Sequence, residues 1–91
     1  MLLPGDFALS PAYPNPFNPT TTVSFALPVT SKVLLEVYDI NGRNIDEIIK
    51  YNMDAGYHSV IWNADNNASG VYFVEMVASE YVNTQKLMLV K

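Results

Sequence analysis

The chain has 91 residues, a formal charge of −4 and no cysteine. That is one small domain without disulfides or a Cys/His zinc cluster. Its five basic residues are too few to neutralise a phosphate backbone, which argues against nucleic acid as a partner. No stretch nears the roughly 20 apolar residues of a transmembrane helix.

The first ten residues lack both the basic start and the long apolar stretch of a signal peptide. Export would therefore need a leader further upstream, in a longer protein. All six prolines fall at or before Pro28. Proline fixes φ and removes a ladder donor, so 11–19 reads as an extended lead-in, neither helix nor central strand. Tyr13 and Phe17 are expected to hold it down by packing into the core. A short strand near Phe7 to Leu9 precedes it.

From Thr20 the pattern has period two. Over 20–27, Val23, Phe25 and Leu27 share one face. Over 32–39, Val33, Leu35 and Val37 alternate with Leu34, Glu36 and Tyr38. Asn41-Gly42 then signals a hairpin, because both residues tolerate φ > 0. Residues 44–49 read as a strand. Ile45, Ile48 and Ile49 also sit at helical spacing, but the run is short and β-branched. Strands follow at 57–63, with His58, Val60 and Trp62 on one face, at 71–78 and at 83–90. Turns lie at 64–70 and around Ser79 to Tyr81. About seven strands at regular spacing predict an all-β antiparallel sandwich. It forms a single domain over 1–91, with 1–19 as lead-in and 20–91 as the body.

Little here is equipped for chemistry. Asp39, Asp54 and Asp65 sit in or beside turns, where Asp bonds local backbone rather than serving as half of a catalytic pair. His58 is the one histidine. Its register with Trp62 makes it a packing residue before a general base. No catalytic residue, cofactor or metal site is expected. Asp65-Asn66-Asn67 could offer oxygens to calcium, yet it lacks the alternation of a calcium loop and reads as a turn. Asn67-Ala68-Ser69 is formally a glycosylation acceptor. The aromatics could form a sugar-stacking platform, with core packing as the default.

Five blocks, in order, resemble one family. Tyr13-Pro14-Asn15-Pro16-Phe17-Asn18-Pro19 is followed by a strand of Thr/Ser and apolar residues that ends at Pro28. VYDINGR (37–43) carries Asp39, Gly42 and Arg43. AGYHSVIWN (55–63) carries His58 and Trp62. ASGVYFVEM (68–76) carries Gly70 and Tyr72. KLMLVK (86–91) is bracketed by Lys86 and Lys91. Together they resemble the C-terminal sorting domain of the bacterial type IX secretion system, an Ig-like domain. It is closely similar to the Ig-like domain of flagellar hook-capping proteins. The loop after Trp62 departs from the family pattern: Asn63-Ala64-Asp65 stands where W-[DN]-G is usual.

The resemblance implies a non-catalytic, monomeric domain that follows an N-terminal cargo. Such a domain reaches the cell surface or medium through the periplasm and the outer-membrane secretion machinery. Gly70, Tyr72, Lys86 and Lys91 are the recognition candidates it suggests. A terminal strand with an unpaired edge would also permit docking by strand addition. The same lysines would equally guard an edge strand against aggregation. The alternative roles are an accessory binding or spacer module for a polysaccharide or protein partner, and a hook-capping-type structural domain.

Overall fold

The computed structural model describes residues 2–91. Among the described residues seven strands form and no helix: β1 (Ala8–Leu9), β2 (Thr20–Leu27), β3 (Ser31–Asp39), β4 (Asn44–Met53), β5 (Gly56–Asn63), β6 (Gly70–Ala78) and β7 (Tyr81–Leu89). The expected strands all form, most with ends shifted by a residue or two. The run begun at Asn44 is a strand and continues to Met53, four residues past its expected end. Its β-branched side chains suit the pleat.

Two antiparallel sheets pack face to face in the orders β1-β2-β5 and β4-β3-β6-β7. The period-two apolar residues meet between them. Val23, Phe25 and Leu27 of β2 face Val33, Leu35 and Val37 of β3, with Val74 and Met76 of β6 and Leu87 and Leu89 of β7. Each such side chain contributes about 1.5–3 kcal/mol on burial, so few can be spared in so small a domain. Among the described residues no buried side-chain polar atom lacks a hydrogen-bond partner.

Local chemistry places β4. Asp39 closes the loop Ile40–Gly42: its carboxylate accepts the Asn41 and Arg43 amides, and its carbonyl accepts the Gly42 amide. Gly42 stands at φ 80°, where a Cβ would be strained. The tight hairpin keeps β4 beside β3, in the larger sheet. The chain crosses to the smaller sheet only at Asp54–Ala55, and β5 then pairs with β2 in unbroken register from Thr20↔Asn63 to Leu27↔Gly56.

Candidate functional site

The lead-in does more than approach the body. Prolines at 14, 16 and 19 leave few amides in this stretch, and its extended backbone runs along the outer edge of β7. The Asn15 side-chain amide acts as a substitute peptide group. Its Nδ2 donates to the Lys86 carbonyl at 2.8 Å and its Oδ1 accepts the Met88 amide at 2.9 Å. Phe17 continues the pairing in parallel: its amide donates to the Met88 carbonyl at 2.9 Å, and the Val90 amide donates to its carbonyl at 3.0 Å. The Thr21 hydroxyl donates to the Pro14 carbonyl at 2.7 Å, and Ala64 donates to the Pro19 carbonyl at 2.8 Å, which ties the strap at both ends.

This overturns the expectation of a free terminal edge. From Lys86 to Val90 the outward groups of the last strand are already bonded to the lead-in. A second correction concerns Tyr13. It bridges to Thr22 but is 80% exposed, whereas Phe17, 3% exposed, is the anchor. Tyr13 pairs with β2 at the edge of the small sheet, opposite Thr22, which faces away from the core between buried Thr21 and Val23, so the tyrosine ring turns to solvent.

Behind the strap lies an aromatic cluster. The Phe17 ring packs on Trp62 at 5.7 Å, and Trp62 meets the edge of Tyr72 at 5.9 Å. Both polar ends are satisfied: Trp62 Nε1 donates to Asp46 at 2.8 Å and the Tyr72 hydroxyl donates to the Ala68 carbonyl at 2.6 Å. A tyrosine near the start of a strand that bonds backbone a few residues upstream is the tyrosine corner of Ig-like sandwiches. Tyr72 is buried, so its side chain offers a partner nothing directly.

The recognition candidates gather at this end. Gly70 pairs with Leu89 and Phe73 with Lys86 across the β6–β7 ladder. Lys86 and Met88 of β7, and Val90 just past its end, are exposed on the face turned away from the core. Lys91 folds back on the β5–β6 loop: its amide donates to the Ser69 hydroxyl at 2.9 Å and its ammonium donates to the Asp65 carbonyl. Ser69 and Asn15 are the site residues whose roles the sequence does not show. Asn15 lies inside a noticed motif, but nothing in the motif says which strand it serves.

Asp39 lies in register with Tyr72, so the VYDINGR turn borders the same end. Arg43 binds the Asp39 carboxylate through Nε at 3.1 Å and its terminal nitrogen at 3.0 Å. Hydrogen bonds from the Arg43 and Asn41 amides and the Arg43 side chain hold this carboxyl below its ordinary value. His58 stands apart, at the other end of β5. It is half-buried, stacks on Phe25 at 5.3 Å and has Nε2 2.8 Å from the Asp54 carbonyl oxygen. Asp65 lies in a local turn, its amide bonded to the Asn63 side chain.

The described surface has a shallow depression of about 260 Å³ on the outer face of the larger sheet, lined by Lys32, Leu34, Lys50, Val77 and Ser79. It carries no carboxylate pair and lies away from the strap. No described group of three or more His, Cys, Asp or Glu could hold a metal ion, and no described helix is long and apolar enough to cross a membrane.

Residues 11–91 match the family model described as secretion system C-terminal sorting domain. No curated protein and no solved structure matches the chain.

Proposed function

Because this chain belongs to the family of secretion-system C-terminal sorting domains, we propose that it directs an attached N-terminal cargo across the outer membrane by the type IX route. In this reading the domain is non-catalytic, and the cargo passes through the periplasm to the surface or the medium. The observation that carries it is the family match over 11–91, which spans all five sequence blocks. That parts of all five blocks, the Asp39 turn among them, meet at one end of the sandwich supports placing recognition there.

The address is carried by side chains rather than by a free edge. With Asn15 and Phe17 on the outer edge of β7, a translocon component would read the exposed row Lys86, Met88 and Val90, together with the Gly70 and Lys91 end. Tyr72 acts as a positioning residue for that end. A glycan-binding role has less support. Tyr13 sits opposite Thr22 and Tyr57 opposite Ala26, four residues apart along β2, or roughly 13 Å at the usual strand rise.

The test is a reporter carrying an inner-membrane export signal and a fluorescent protein ahead of residues 1–91, in a bacterium with a working type IX system. Truncation after Gln85 is a poor comparison, because it removes Leu87 and Leu89 from the core and the partner of the strap. The double variant Lys86→Glu, Lys91→Glu leaves the core intact. The expected outcome is export of the intact fusion and periplasmic retention of the folded variant. Retention of the intact fusion would refute sorting. Equal export of both would remove the two lysines from the address.

A further inference from the structure

The sandwich has four sheet edges, and three are blunted by different means. The edge of β7 is covered by Asn15 and Phe17 from Lys86 to Val90. On β1, the Leu9 amide donates to the Tyr81 hydroxyl at 3.0 Å and the Leu9 carbonyl accepts the Gln85 side chain at 3.3 Å. The edge of β4 is irregular, with register shifts at Leu35/Glu36 and Val37/Tyr38, and it carries Asp46, Glu47 and Lys50. These are the devices by which folded proteins discourage strand pairing.

β5 has none of them. Its eight residues contain no aspartate, glutamate, lysine, arginine or proline. Its register with β2 is unbroken. Among the described residues no side chain or neighbouring strand bonds its outward amides and carbonyls. Its solvent face presents Tyr57, 72% exposed, and Ile61, 67% exposed, on either side of Ser59.

We propose that this edge pairs with the β5 edge of a second copy of the chain, antiparallel about a twofold axis at Ser59. The self-complementarity of β5 selects that occupant. An axis at Ser59 sets Tyr57 opposite Ile61 of the other copy, twice, and aromatic with β-branched is a favourable cross-strand pair. His58 then faces Val60 on the inner side. The pairing brings no charged β5 residues together, although the chain as a whole carries −4. The contact is isologous, so it closes as a dimer. One short edge buries less than the ~1,200 Å² of a stable interface. The dimer therefore forms at high protein concentration and separates on dilution.

Sedimentation velocity of the 91-residue chain from about 10 µM to about 1 mM spans the range of so small an interface. The expected result is a reversible rise from monomer to dimer, with concentration-dependent amide shifts in β5 and not in β7. Ser59→Lys sets two ammonium groups opposite each other at the axis and should keep the chain monomeric at the highest concentration. Ser59→Glu alone should do the same. An equimolar mixture of the two should dimerise again, because opposite charges then meet. A monomer throughout, or shifts that map elsewhere, overturns the proposal, as does dimerisation by Ser59→Lys alone. A wild-type monomer that binds an extended peptide along β5 would also overturn it and assign the edge to another protein.

Discussion

β7 and β5 are both edge strands of comparable length, and the chain treats them in opposite ways. β7 pairs with β6 on one side and receives the lead-in on the other, so its last residues behave as an inner strand. β5 pairs with β2 alone. The difference shows that an edge is defined by everything that bonds to it and not by its place in the strand order. It also separates two kinds of surface: side chains projecting from a covered strand at one end, and bare backbone at the opposite side.

The comparison breaks most visibly at Phe17. Phe17→Ala removes a buried ring that holds the strap against Trp62 and should cost about 3–5 kcal/mol, read as a lower urea midpoint at unchanged slope. Tyr72→Phe deletes the bond to the Ala68 carbonyl and should cost about 1 kcal/mol by the same measurement. Asn15→Ala uncouples strap from strand with the core intact. Water can replace both lost bonds at this exposed position, so the loss should be nearer 0.5 kcal/mol, at the low end of the usual range (about 0.5–1.5 kcal/mol). The clearer signal should be faster hydrogen exchange at the Met88 amide, with Leu35 unchanged.

A smaller effect is expected at the Asp39 turn, and it depends on pH. The folded-state value is depressed, so the carboxylate stabilises the hairpin fully above the ordinary carboxylate range. That contribution is lost as pH falls through the folded-state value. Wild type should therefore lose more stability on acidification below about pH 4 than Asp39→Asn, compared by thermal melts across pH. Ser59→Lys on β5 should change monomer stability by no more than about 0.5 kcal/mol, because the position is exposed and its bond to Ser24 lies in solvent. If it destabilises the monomer as strongly as Phe17→Ala, β5 is not the bare edge described here.

Alternation was enough to read β2, β3 and β5 and the residues that share a face in each, because a half-buried strand must place apolar residues at every second position. β4 was read from its β-branched composition, and its last four residues were not. The Asn41-Gly42 hairpin was equally legible, since its backbone needs residues that tolerate positive φ. The five ordered blocks carried the family. Three further things depended on long-range pairing. The sheet that the β3–β4 hairpin joins follows from the pairing of β3 with β6. The exposure of Tyr13 beside buried Phe17 follows from the register in which the lead-in pairs, Tyr13 opposite outward Thr22 and Phe17 opposite buried Leu89. The capture of β7 by Asn15 joins residues more than 70 positions apart. Period and turn chemistry are properties of a few neighbouring residues, so the sequence by itself determined them. Which edge is covered and which is left open depends on where distant backbone groups find partners, and only the tertiary structure decided that.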